Sequence, residues 1–254
     1  MINLKCSIRL LAAGVIVGSA LFSYSLFAQD MSGTEILTKC ESVINAPKDS
    51  DILAQLILID KDGNQKERKL TMLQKGDEMR FVRFLSPADQ KGIGFLRLAE
   101  EIQYIYLPAF KKVRRIASHI KNQSFAGTDF TYDDIGTLKY SEDYDTKLVE
   151  TNAEFYVLEL TPKSGMKKDY SKLKFWVQKD NYYLVKTEYF DKGFNLWKVM
   201  DQRKISKVNG YWTAQEVEMK DLKTNHRTLM HTSEIKFDKG LSDELFTERN
   251  LEKF

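Results

Sequence analysis

Phe81-Val-Arg-Phe-Leu-Ser-Pro-Ala-Asp89, Lys91-Gly-Ile-Gly-Phe-Leu96, Tyr104-Ile-Tyr-Leu-Pro108, Lys111-Lys-Val-Arg-Arg-Ile116 and Phe125-Ala-Gly-Thr-Asp-Phe-Thr-Tyr-Asp-Asp134 follow one another in the stretch from Phe81 to Ile135. Short aromatic runs that suit strands, a doubled arginine and an acidic-aromatic loop thus share one module. No nucleophile with a base beside it appears among them, so the rings point to holding something apolar rather than transforming it.

On either side of this module the apolar residues keep the period of strands. Turn-forming sequences such as Lys61-Asp-Gly-Asn64, Lys75-Gly-Asp77, Asp191-Lys-Gly193, Val208-Asn-Gly210 and Asp238-Lys-Gly240 separate short apolar or alternating runs. Strands are expected over 52–60, 66–74, 78–85, 93–99, 102–107, 112–117, 146–151, 153–161, 172–179, 182–190, 195–206, 211–222 and 226–237. So many consecutive antiparallel strands demand a barrel or a strongly curled sheet. Ahead of them, Thr34 or Ser32 caps a helix whose apolar stripe is Ile36, Leu37, Cys40, Val43 and Ile44, ending near Asn45-Ala-Pro47. Ser242-Asp-Glu-Leu-Phe246 reads as a capped final turn of helix.

Several of these strands are apolar on both faces. Leu53, Ile57 and Ile59 share one parity of 52–60 while Leu56 and Leu58 share the other; Ile102, Tyr104 and Tyr106 oppose Ile105 and Leu107. Leaving several such side chains wet would cost on the order of 10 kcal/mol, comparable to a domain's net stability. A loop lid, a partner or a ligand must therefore cover them. The strands over 211–222 and 226–237 alternate in the ordinary half-exposed way, which places the unusual surface in the N-terminal half.

Lys5 and Arg9 precede an apolar run from Leu10 to Phe27 that ends at Ala28 before Gln29-Asp30, the layout of a secretory signal peptide cleaved after Ala28. The run approaches the length a bilayer requires, and Leu26 is large for the −3 position, so a retained anchor is the rival reading. No cysteine sits at the processing site to mark a lipid-anchored product. The domain is expected over 29–254. The formal net charge of the whole chain is +3, and without the first 28 residues acids and bases nearly cancel, which removes the electrostatic basis for nucleic-acid binding. Cys40 is then the one thiol left, so export would rest on a core large enough to fold without a disulfide.

The module also resembles the LolA-like family of outer-membrane lipoprotein-sorting proteins, in Phe84-Leu-Ser-Pro87, Lys91-Gly92, Phe95-Leu96, Tyr106-Leu-Pro108, Lys111 to Ile116 and Gly127-Thr-Asp-Phe-Thr-Tyr-Asp-Asp134. The resemblance implies a mainly β (α+β) fold: a half-open, strongly curved antiparallel β-barrel with an N-terminal helix and a helix or loop lid on its concave face. It further implies a periplasmic carrier of lipid or lipoprotein acyl chains, served by an inner-membrane transporter of RND or ABC type and by transient membrane contact. On this reading the acyl cavity and lid comprise Leu56, Leu58, Leu70, Met72, Phe81, Arg83, Phe84, Phe95, Leu96, Tyr104, Tyr106, Phe125, Phe130 and Tyr132. An accessory or regulatory envelope protein, an exporter partner or a stress sensor without transport of its own, is the alternative.

Asp129, Asp133 and Asp134 have the short spacing that calcium ligands use, but the turn glycine and closing bidentate glutamate of an EF-hand are absent. They are expected instead to pair with Arg114 and Arg115, fixing the 118–137 loop so that Phe125, Phe130 and Tyr132 cover the cavity mouth. Arg83 shares the parity of Met79, Phe81 and Leu85, and reads either as a snorkelling side chain or as a donor to the ester or phosphate of a lipid. Arg80 has the opposite parity, and the sequence leaves open which parity is concave. His119, His226 and His231 lack metal-ligand spacing and are expected at the surface or in loops. With no Gly-x-Ser-x-Gly elbow and no phosphate-cradling loop, neither an enzyme nor a cofactor is expected. Lys111 to Arg115 reads as a solvated strand edge or as a charge presented to an acidic partner or anionic headgroups.

Overall fold

The computed structural model describes residues 31–99 and 102–253, so the expected signal segment lies outside the described residues. The order of elements is α1 (Gly33–Ile44), β1 (Asp49–Ile59), β2 (Gln65–Lys75), β3 (Met79–Ser86), β4 (Gly94–Arg97), β5 (Gln103–Leu107), β6 (Lys112–Arg115), α2 (Tyr132–Gly136), β7 (Tyr144–Thr151), β8 (Phe155–Pro162), β9 (Lys172–Gln178), β10 (Leu184–Phe190), β11 (Leu196–Val208), β12 (Tyr211–Asp221), β13 (His226–Phe237) and α3 (Glu248–Glu252). The thirteen strands match the thirteen expected, with ends displaced by at most three residues.

All thirteen belong to one curved, open, antiparallel sheet in the order β6-β5-β4-β3-β2-β1-β13-β12-β11-β10-β9-β8-β7. It consists of two meanders, β1 to β6 and β7 to β13, laid side by side where β1 pairs with β13 (Leu56 opposite Met230). Register shifts at Leu53/Ala54, Lys69/Leu70, Leu148/Glu150, Leu184/Lys186 and Tyr189/Phe190 interrupt the ladders. Such irregularities bend a strand and increase its local twist, which is what curling a sheet this wide requires.

Because β6 and β7 are the two outer edges, residues 116–143 must carry the chain from one edge to the other. They do so over the concave face. They touch β2 to β4 through Phe125, Ala126, Tyr132 and Ile135 and β9, β11 and β13 through Tyr140 and Asp129, and they contain α2, whose Thr131 and Asp134 form a reciprocal capping box. The sequence supports a loop here; the helix within it is an addition, and Thr131-x-x-Asp134 is its readable signal.

Three apolar clusters hold the fold. One joins α1 to the second meander through Ile36, Leu37 and Cys40 against Leu158, Phe175 and Met219. A second packs Leu56, Leu70, Val82, Phe84 and Phe95 beneath Phe125 of the crossing segment. The third lies on the opposite face of β3 to β5, where Phe81, Leu96 and Tyr106 meet Phe246 and Leu251 from the C-terminal turns. This settles the parity of β3: Arg80, Val82 and Phe84 face the concave side, while Phe81 and Arg83 face the C-terminal segment.

α1 begins at Gly33 behind the Ser32 cap, which accepts from the Glu35 amide while the Glu35 carboxylate accepts from Ser32. A Cβ at Gly33 would lie 2.6 Å from the Leu148 amide nitrogen and 2.7 Å from the Lys147 carbonyl carbon on β7. Both are backbone atoms that cannot swing aside. Gly33→Ala is therefore expected to push α1 off β7 and lower stability by about 1–3 kcal/mol, despite the better helix propensity of alanine. Chemical denaturation checks this, and an unchanged or raised midpoint would refute the close approach.

Candidate functional site

The first two clusters do not meet. Between them lies a cavity of about 230 Å³, lined by α1, β1 to β3, the crossing segment and β9 to β13. A second chamber of about 190 Å³ shares Ile44, Met72, Arg80, Gln202, Val217 and Met230 with the first and extends toward Pro47, Ser50 and Trp212. Apolar groups dominate the inner chamber: Leu37, Leu56, Leu70, Val82, Phe125, Phe175 and Leu184 all contribute. Cys40 lines it too, and burial pushes its thiol well above the usual range, so it is a packing group and not a nucleophile.

Of the residues expected in the cavity and lid, Leu56, Leu70, Met72, Phe125 and Phe130 line the chamber. Leu58, Phe84, Phe95 and Tyr132 sit behind that wall in the second cluster. Phe125 stacks on Phe84 with ring centroids 5.4 Å apart and meets the edge of Tyr132 at 5.7 Å. Tyr132 therefore secures the lid from behind and does not close the mouth. Phe81, Leu96, Tyr104 and Tyr106 lie on the other face with the C-terminal turns. Arg83 lies there as well: its Nη2 donates to the carbonyls of Asn250 (2.6 Å) and Leu251 (3.0 Å), and its guanidinium stands over Phe81. It fastens α3 and is not at the cavity wall.

The acidic loop is anchored by residues other than Arg114 and Arg115. Those arginines project from the exposed edge strand β6, Arg114 over the Phe110 ring. Asp129 instead accepts from Thr228 Oγ1 at 2.6 Å and from His226 Nδ1 at 2.8 Å, while its own backbone amide donates to Thr228 and its carbonyl accepts from Lys198 Nζ at 2.7 Å. Nδ1 of His226 carries the proton in this pairing, since a carboxylate only accepts. Expected as a surface or loop group, His226 is thus part of the anchor. Asp134 accepts from Tyr170 as well as from Thr131. Asp133 lies 3.2 Å from Lys168, which also meets Asp143 at 2.6 Å.

Arg68 completes the attachment from β2. The segment turns at Phe125-Ala-Gly-Thr128, where Ala126 (φ 50°) and Gly127 (φ 75°) both take positive φ and Thr128 donates back to the Phe125 carbonyl. Positive φ at both central residues is the pattern of a type I′ turn. The Arg68 guanidinium donates to the Ala126 carbonyl and lies over the Phe84 ring.

The strands over 211–222 and 226–237 are expected to be ordinary half-exposed strands, yet β12 and β13 bring Val217 and Met230 to the chamber, and together with Phe175, Leu184, Tyr189 and Met200 from β9 to β11 they make up about a quarter of its wall. Strand alternation marks these residues as buried but cannot distinguish a packed core from the wall of a cavity. Among the described residues, no group of three or more His, Cys, Asp or Glu side chains is placed to hold a metal ion. No described helix is long and apolar enough to cross a membrane.

Burial pushes the Asp133 carboxyl above its ordinary range; Lys168 opposes this and Asp134 adds to it. A carboxyl raised in the folded state contributes stability below its unfolded pKa that is lost as pH rises through the folded value. The stability of Asp133→Asn relative to the parent chain is accordingly expected to increase between pH 4 and pH 8. Thermal unfolding across that range is the measurement, and a difference that shrinks with pH would show that the Lys168 attraction outweighs burial.

A family model described only as that of an uncharacterized protein matches residues 76–253. Among curated proteins none matches the chain. Among solved structures, a candidate outer membrane lipoprotein-sorting protein domain from Vibrio parahaemolyticus is 26% identical with a TM-score of 0.79, over 87% of this chain and 98% of that one. A DUF1329 family protein from Desulfovibrio piger is 27% identical with a TM-score of 0.80, over 86% and 97%. A LolA superfamily protein from Nitrosomonas europaea shares the fold at 21% identity, with a TM-score of 0.72 over 87% and 99%. The chain belongs to the family whose model spans residues 76–253, and it shares its fold with these LolA-like structures.

Proposed function

We propose that this protein is a periplasmic carrier that takes up the acyl chains of lipids or lipoproteins in the chamber between its two concave clusters and moves them between envelope membranes. The chamber is the observation that carries this reading: an apolar space beneath a segment pinned at both ends. Its similarity to the Vibrio parahaemolyticus domain described as lipoprotein-sorting supports the same conclusion. Cargo exchange with an inner-membrane transporter of RND or ABC type and transient contact with the bilayer belong to the proposal.

The energetics suit a carrier. Each methylene removed from water contributes roughly 0.8 kcal/mol, so about ten contribute a gross 8 kcal/mol, near the free energy of a micromolar complex before ordering costs. A single chain is held, yet can be surrendered to a bilayer. Release requires the crossing segment to lift, and its attachments to β11 and β13 are polar contacts that water can replace.

Native mass spectrometry of gently purified protein is expected to show bound lipid, and delipidated protein to take up a fluorescent fatty acid. Val217→Trp places bulk where the two chambers meet, and it should abolish uptake while unfolding within a few degrees of the parent. Absence of uptake by the parent chain, or undiminished uptake by the variant, would defeat the reading.

A further inference from the structure

Among the described residues Arg80 is the one cation of the chamber wall, and an acyl chain does not explain it. Its guanidinium lies at the neck shared by the two chambers. One terminal nitrogen donates to the Ile135 carbonyl at 2.8 Å, the other to Gln74 Oε1 at 2.6 Å, and Nε has no hydrogen-bond partner. Both acceptors are neutral. Across the ladder its register partner is Arg97, a second cation, which repels it.

The two carboxylates of the chamber wall are already committed. Glu41 accepts from the Tyr140 and Ser141 amides and the Ser141 hydroxyl, and Asp134 is held by Thr131 and Tyr170. Burial first, then Arg97, pushes the Arg80 pKa down to about 10, so the group still carries its charge at neutral pH. A guanidinium in such surroundings stands uncompensated unless an anion joins it. Gln202, also at the neck, uses Oε1 to accept from Tyr183 and leaves its amide nitrogen free to donate.

We propose that Arg80 and Gln202 form a headgroup site at the neck, which binds the carboxylate or phosphate of a single-chain anionic amphiphile whose tail fills the apolar chamber. This rests on the carrier reading and narrows it, since neutral glycerides and the uncharged acyl groups of a lipoprotein would leave the site unsatisfied. Charge-assisted hydrogen bonds from a planar guanidinium to a carboxylate or phosphate supply the selectivity.

Displacement of the neutral dye N-phenyl-1-naphthylamine by palmitate, hexadecyl phosphate and hexadecanol tests it, the tail being constant and only the head varying. On the parent chain the better anion should compete at concentrations about ten- to a hundredfold below those of hexadecanol. Arg80→Met should bring the three together by weakening only the anions, and Arg80→Lys should restore part of the preference. Thermal unfolding of Arg80→Met is expected at or above the parent value, because a cation facing Arg97 is removed; the parent-chain ratio decides the matter whether or not the variant folds. The stronger anion identifies the source as a free fatty acid or a phosphate-headed lipid. Equal competition by hexadecanol on the parent chain, or a preference that survives Arg80→Met, overturns the headgroup site and leaves the carrier standing. If no long-chain compound displaces the dye, both readings fall together.

Discussion

The connection between the two outer strands governs the rest of the molecule. A sheet made of two meanders joined through β1 and β13 leaves β6 and β7 at its far edges, and the chain must pass from one to the other. On a flat sheet that passage would be a long exposed loop. On a curled one the short route lies over the hollow, so residues 116–143 become a lid by topology. The lid then needs anchors along its course: aromatic packing by Phe125 on β3 and β4, and polar contacts of Asp129 and Asp134 with the second meander.

The cavity follows from that arrangement. Ladder irregularities fix the curvature, and α1 fills one half of the concavity while Phe125 and its neighbours fill the other. Each filler is tied to its own meander, so neither can move to close the seam without breaking a cap, a ring stack or a buried pair. Close packing is the rule in protein interiors because voids lose dispersion contacts. A void bounded by elements that are each independently anchored is therefore a property the backbone imposes, and the side chains around it are small or flexible where the two chambers meet, as Met72, Val217 and Met230 are.

Most of the fold was legible in the sequence because hairpin chemistry and strand alternation are local. Turn sequences such as Val208-Asn-Gly210 delimit β11 and β12, and of the two capping candidates Thr34 and Ser32 it is Ser32 that opens α1. The site was legible only in part. Leu56, Leu70, Met72, Phe125 and Phe130, expected at the cavity, do line the chamber, but Arg83 and Arg80 are indistinguishable in the sequence, and it is the C-terminal turns that cover the Arg83 face. The anchors of the acidic loop were missed because proximity in sequence favoured Arg114 and Arg115, whereas the crossing brings Asp129 to Thr228 and His226, almost a hundred residues away. Nothing in a period-2 pattern encodes that distance. The same limitation hid Phe175, Tyr189 and Met200, whose alternation reports burial and not what they are buried against.

The two ends of the lid differ in kind, and the difference bears on how it would open. Around Phe125 the contacts are rings and aliphatic side chains, reinforced by Arg68 on the Ala126 carbonyl. Breaking them exposes apolar surface, so water opposes it. From Asp129 through α2 to Tyr140 the apolar contacts of Phe130, Tyr132 and Tyr140 are joined by hydrogen bonds and ion pairs to Thr228, His226, Lys198, Lys168 and Tyr170, groups that water or an approaching polar surface can satisfy in turn. The exchange costs far less than exposing an equal area of hydrocarbon, since solvated polar groups regain most of what they lose. Opening should therefore begin on the side of the second meander, with Phe125 as the fixed end, and it would uncover first the wall formed by Phe175, Tyr189 and Met200. That motion also withdraws the Ile135 carbonyl from Arg80, so the guanidinium would lose an acceptor at the moment the chamber becomes accessible. A lid so attached couples access to the hollow with the exposure of the Arg80 guanidinium.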